Sequence, residues 1–169
     1  HGVDVRNYDD ATRQSFAQKA ADEFRFIADR RQNRRMILMG DFNLNPYDRG
    51  MNLAAGFNAL MTQECLRREV REHLGERYDL FYNPMWSLFG DRTIGPPGTT
   101  YDTSNQGPYG WNMFDQDLLH HSAVGLFHKV QILTHAGPHS LANQAGRPDE
   151  RAASDHFPIL VGLRGDDDE

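Results

Sequence analysis

Four consecutive apolar residues, Met36-Ile37-Leu38-Met39, stop at Gly40-Asp41, and no other run constrains the fold of this chain as strongly. The run is too short for a helix and apolar on both faces, so it predicts a central strand covered on both sides. The residues before it predict one of the covers. From Asp10 to about Asn33, Phe16, Ala20, Phe24 and Ile27 recur at helical spacing, and Ala17, Ala21 and Ala28 widen the stripe. Asp9 or Asp10 is placed to cap the first turn. Arg30, Arg31, Arg34 and Arg35 cluster at the far end, where cations suit the helix dipole and could also meet phosphates.

Further strands are expected at Thr99–Thr103, Trp111–Leu119, Lys129–His135 and Phe157–Leu163, apolar or β-branched stretches between turn formers. Leu66–Trp86 is ambiguous and reads as a short helix followed by irregular chain through Asn83-Pro84. Gly95–Gly98 and Ser104–Pro108 are loops by composition, and the acidic tail 165–169 is expected to be disordered. A long helix followed by several strands with irregular connections gives an α/β (α+β) class: a mixed, mostly antiparallel sheet with helices on one face. The 169 residues are one domain's worth, residues 1–164 before the tail.

A net charge of −6 argues against a nucleic-acid binder that works through a broad basic surface, while leaving room for local arginines and a bound cation. Arg67, Arg68 and Arg71 form such a local patch, although Glu64, Glu69 and Glu72 between them also read as ordinary surface charge. No apolar run is long enough to be a transmembrane helix. The single Cys65 excludes an internal disulfide framework and suits a cytoplasmic setting. The chain opens at His1 without an initiator methionine, so an upstream signal segment stays open and localisation with it.

The chemistry-bearing residues cluster beside predicted strands. Asp41 and Asn43 lie two apart after the buried run, so in extended chain both side chains point the same way. Asp41 is then able to bind a hard divalent cation or activate water, and the Asn43 amide to donate to a phosphate oxygen. An Asx-type turn is the plainer account of the same pair. Ser154-Asp155-His156-Phe157-Pro158 sets a carboxylate beside an imidazole at the start of the last strand, where both serve one site only if the chain bends. Asp115 either faces solvent or needs a buried partner, for which His156 is the natural candidate. His120-His121 adjoins a strand end. His135 and His139 have the spacing of a helical zinc pair, but Gly137 and Pro138 spoil the helix, and no partner clearly completes a zinc site with either pair. Trp86, Phe89, Tyr101 and Trp111 suit either a cleft lining or the core.

Taken in order, Gly40-Asp41-Phe42-Asn43, the stretch from Thr99-Thr100-Tyr101 through Gly110-Trp111 to Phe114-Asp115, and Ser154-Asp155-His156 resemble the C-terminal motifs of the endonuclease/exonuclease/phosphatase (deoxyribonuclease I-like) family. The resemblance implies a metal-dependent phosphoester hydrolase, a nuclease or phosphodiesterase. In it, Asp41 would activate water, Asn43 help hold the phosphate, His156 contact the scissile phosphate and Asp115 orient it. Asp155 would bind the metal, Mg²⁺ with Mn²⁺ or Ca²⁺ as alternatives, and Asp41 would stand beside the ion. His1 occupies the place of a histidine that ends a strand before the long helix in the deoxyribonuclease-like members, where it would be a second acid/base group.

One part of the family's pattern is absent. Its N-terminal half supplies an asparagine and a metal-binding glutamate, and no glutamate here has a comparable strand context. The resemblance therefore implies half of a four-layer sandwich, whose inner sheet face is apolar and is covered by a missing N-terminal half or by a second copy. The chain alone is expected to be inactive or nearly so. The alternative is a non-catalytic binding module that keeps the fold.

Overall fold

The computed structural model describes residues 1–104 and 110–165. Helix α1 (Asp10–Arg31) begins where the Asp9 carboxylate accepts from the Thr12 amide, at 2.8 Å. Its most buried positions are Ala17, Ala21 and Ala28, while Phe16 and Ile27 sit at its flanks, each 37% exposed. The stripe is thus rotated from the one that the large residues predict. Small side chains let the backbones come close: a Cβ at Gly50 would lie 2.8 Å from the Ala17 Cβ, so that contact requires glycine.

After α1 come β1 (Ile37–Asp41), the short α2 (Arg49–Asn52), β2 (Ala59–Leu60) and a 3₁₀ turn (Glu64–Arg68). There follow β3 (Val70–His73), β4 (Glu76–Asp79), β5 (Phe81–Tyr82) and a second 3₁₀ turn (Pro84–Leu88). The remainder is β6 (Thr100–Tyr101), β7 (Trp111–Asn112), β8 (Asp115–His120), a 3₁₀ turn (His121–Leu126), β9 (Phe127–Ile132), β10 (His135–Ala136), β11 (His139–Ser140) and β12 (Ile159–Leu163). Four strands form a mixed sheet in the order β1-β8-β5-β2, antiparallel except for β2 and β5. β3–β4, β6–β7, β10–β11 and β9–β12 form separate two-stranded ladders. The chain is therefore α+β with a mixed sheet, and among the described residues no helix is long and apolar enough to cross a membrane.

Two stretches differ from expectation. The segment after Leu66 carries a β-hairpin in place of a helix: β3 and β4 pair tightly around Leu74 and Gly75, both at positive φ (52° and 83°), the geometry of a two-residue primed turn. His73-Leu74-Gly75-Glu76 lacks the Asn-Gly or Asp-Gly signature that would have announced it. Trp111–Leu119 divides into two strands at Met113-Phe114, because the Met113 amide donates to the Asn45 side chain rather than to a neighbouring strand. The expected loop Ser104–Pro108 and the tail 165–169 fall largely on residues 105–109 and 166–169, outside the described residues.

Leu38 and Leu118 are directly paired and join a core with Ala17, Ala21, Met51 and Phe57, so both α-helices cover one face of the sheet. The other face carries the pairs Ile37/Leu119, Met39/Asp117 and Asp41/Asp115. That face is not uniformly apolar. Met39 is 54% exposed, whereas Asp117 is fully buried, beneath contacts that β8 makes with β12 and with the turn Pro84–Leu88.

Candidate active site

The site forms at the end of the β1–β8 ladder. Asp41 is the last residue of β1 and is paired with Asp115, the first of β8, so both carboxylates emerge on the face opposite α1. The ladder continues one step further as the Phe42 amide donates to the Phe114 carbonyl at 2.8 Å. Thr99 extends the arrangement: its hydroxyl accepts from the Asp115 amide (3.2 Å) and its carbonyl accepts from the Phe157 amide (2.7 Å). Thr100 then bridges His156. This buried threonine thereby brings the last motif to the first two, a role that its sequence gave no sign of.

His156 Nδ1 donates to Asp115 Oδ2 at 2.7 Å. That hydrogen bond, helped by the negative charges of Asp115, Asp41 and Asp155, holds the imidazole pKa above its ordinary value, against burial. Asp41 is also raised, first by burial and then by repulsion from Asp115, while the Asn43 amide and His156 pull the other way. His1 completes the cluster, with Nε2 3.1 Å from Asp41 Oδ2 and Nδ1 donating to the Gly2 carbonyl. The Gly2 amide donates to the Asp41 carbonyl, which ties this segment to the end of β1.

Asn43 reaches Asp41 by a different path from the one predicted. Strand β1 has ended, and Asn43 is left-handed (φ 50°), not extended. Its backbone N–H donates to Asp41 Oδ1 at 2.8 Å, an Asx-type turn, and its side-chain amide donates to Asp41 Oδ2 and to the Gly2 carbonyl. The geometry is that of the Asx turn, and the Asn43 amide, given to Asp41 and the Gly2 carbonyl, positions Asp41.

Asp155 lies in a bend before β12, next to His156, and its side chain is exposed. The bend is what lets adjacent residues approach one site. Mg²⁺ is ordinarily held by one or two carboxylates together with waters and substrate phosphate oxygens, and Asp155 fits that limited requirement. Asp41 is less free, since both its oxygens face donors from Asn43 and His1. Asp41, Asp115 and Asp155 do not converge tightly enough to make a three-group metal cluster.

Sequence reasoning also missed the buried amides that hold this corner. Asn45 Nδ2 donates to Asn112 Oδ1 at 3.0 Å, Asn83 Nδ2 donates to Gln116 Oε1 at 2.7 Å, and Gln116 Nε2 donates to the Leu44 carbonyl. They fasten the loop after β1 to β7 and β8. Their only signal was polar type at positions that become buried, which one sequence does not reveal. Tyr101 meets Trp111 edge-on, Trp111 stacks on Phe157, the residue after His156, and Arg147 lies 3.6 Å over the Tyr101 ring. Tyr101 and Trp111 are half-buried and Phe157 is fully buried, so these aromatics pack behind His156.

Elsewhere the sequence-level readings are simpler. Arg34 pairs with Asp29 and Asp79. Arg67, Arg68 and Arg71 are exposed on the 3₁₀ turn and hairpin, not on a helix. His135 and His139 sit on the separate β10–β11 hairpin. No protein-family model, curated protein or solved structure matches the chain.

Proposed function

We propose that this chain is the C-terminal half of a metal-dependent phosphoester hydrolase of the endonuclease/exonuclease/phosphatase type. The reading is supported above all by one observation: Asp41, Asp115 and His156, distant in sequence, form a single partly buried cluster with Asp155 at its rim. Phosphoester hydrolysis needs a base for water and donors for the charge that grows on the phosphoryl oxygens. Asp41 is the base. His156, whose charged form Asp115 favours, offers its Nε2 side to a phosphoryl oxygen, and each such donor is worth roughly 3 kcal/mol of barrier. His1, with Nε2 3.1 Å from Asp41 Oδ2, is the second acid/base group, and Asn43 keeps Asp41 in register. Asp155 would hold the divalent ion, Mg²⁺ or in its place Mn²⁺ or Ca²⁺, which as a Lewis acid neutralises phosphate charge.

The fold reading that goes with this is half of a four-layer sandwich. The sheet face bearing Met39 and Asp117 then takes the complementary half, which would bring the glutamate that the metal shell lacks, or a second copy, which would not.

The test is hydrolysis of plasmid DNA and of a small phosphodiester by the full-length protein, with and without EDTA. Mg²⁺-restored turnover that disappears in Asp41→Asn and Asp155→Asn supports the reading, and a steep loss with salt on DNA alone identifies a nuclease. No turnover on either substrate under any divalent ion overturns it in favour of a non-catalytic module.

A further inference from the structure

At the other end of β8, five residues and roughly 17 Å from Asp115, three potential metal ligands meet. Asp79, His120 and His121 each offer an atom within 4.8 Å of the other two. Their backbones are fixed before any ligand arrives. The Asp79 carbonyl accepts from Asn58, the His120 amide donates to the Met36 carbonyl, and the His121 amide donates to the Leu80 carbonyl.

His120 is fully buried, yet its Nε2 makes no aligned hydrogen bond, although it stands 3.3 Å from Asp79 Oδ2. Its other nitrogen is engaged: Nδ1 lies 2.8 Å from the Ser122 hydroxyl and 3.3 Å from the Ser122 amide. In one tautomer Nδ1–H donates to the Ser122 hydroxyl, which itself donates to the Arg34 carbonyl; in the other Nδ1 accepts from the Ser122 amide and Nε2–H points at Asp79. In the first tautomer Nε2 presents a lone pair to the Asp79 carboxylate, a contact that a cation between them satisfies; in the second the ring's own proton does so. An outer hydrogen bond on one imidazole nitrogen, with the other nitrogen free, is the usual setting of a metal-bound histidine.

We propose that Asp79, His120 and His121 form a second metal site, separate from the phosphoester site, for a first-row transition ion such as Zn²⁺ with a water as fourth ligand. Two imidazoles and one carboxylate select borderline ions over Mg²⁺ and Ca²⁺, which prefer all-oxygen shells. The ion fastens the end of the β3–β4 hairpin to the end of β8 and the 3₁₀ turn behind it. An open depression lined by Asp29, Arg34 and Ser122 lies beside Arg34, the partner of Asp79. Arg34, half exposed and 3.1 Å from Asp79 Oδ2, is the resident counter-charge and swings aside when the ion binds.

The experiment is titration of the metal-free chain with Zn²⁺ by calorimetry, with Co²⁺ as a spectroscopic probe and thermal unfolding in parallel. One Zn²⁺ per chain at micromolar or tighter affinity is expected, with visible Co²⁺ bands of four-coordinate type and a Tm raised by roughly 5–10 °C at saturation. His120→Ala leaves a cavity in the core, so the decisive variant is the less buried His121→Ala, checked for folding by circular dichroism. It should weaken binding by at least about 100-fold, while Asp155→Asn leaves it unchanged. Absence of Zn²⁺ binding, binding that survives His121→Ala, or binding lost instead in His135→Ala or His139→Ala overturns the site.

Discussion

The Asp115 carboxylate and the His156 ring meet at 2.7 Å across 41 residues of chain, joined through a backbone relay at Thr99 and Thr100. That contact decides which nitrogen of His156 remains available and keeps the ring charged to higher pH than an ordinary histidine.

Asp115→Asn therefore lowers the His156 pKa, and the shift is read by NMR titration of the ring protons. The sign follows from linkage. A raised histidine pKa gives stability that is fully present below the unfolded value of 6.5 and is lost as pH rises through the folded value. The variant should flatten that part of the stability profile. If the proposed hydrolysis is right, its kcat also falls by roughly 10²–10⁴.

Asp41 has a linkage of the same sign, in a lower pH window. Its folded pKa is above 3.8, so the folded state holds the proton longer than the unfolded one, and stability falls as pH rises from the unfolded to the folded value. Asp41→Asn removes that loss and slightly stabilises the fold near neutrality in urea titrations, while activity drops by at least about 10²-fold. A variant that loses both stability and activity would mean that Asp41 is chiefly structural.

Asp117 is the largest internal electrostatic liability. Both its oxygens lack a hydrogen-bond partner, and burial alone pushes its pKa up to about 7. Between the unfolded value of 3.8 and about 7, stability declines as pH rises. Asp117→Asn, which cannot ionise, is expected to stabilise the chain by on the order of 2 kcal/mol above pH 7 and to leave it unchanged near pH 3. Chemical denaturation at the two pH values checks the contrast.

The β3–β4 turn offers a test free of electrostatics. Leu74 is 91% exposed at φ 52°, a conformation that costs a leucine more than an asparagine. Leu74→Asn should raise stability by roughly 0.5 kcal/mol. Gly75→Ala meets open space but forces alanine to φ 83°, and should cost about 1 kcal/mol. Thermal melts of the two variants should move in opposite directions.

Helix α1 and strand β1 were legible in the sequence because both follow from local periodicity and length, and Asp41, Asn43, Asp115, Asp155 and His156 stood out because chemistry-bearing residues recur beside such elements. At Asn43 the structure forms the Asx turn that the Asp-x-Asn spacing suggests. What the tertiary structure alone decided is the set of long-range coincidences. Ala17 rather than Phe16 became the helix's contact line because Gly50 lets the backbones close. The Leu74-Gly75 turn made a hairpin where composition read as helix. Thr99 joined His156 to Asp115, and the sheet order brought Asp79 beside His120. These depend on which segments are neighbours in space, and hydrogen bonds between residues tens of positions apart leave no periodicity along the chain from which to infer them.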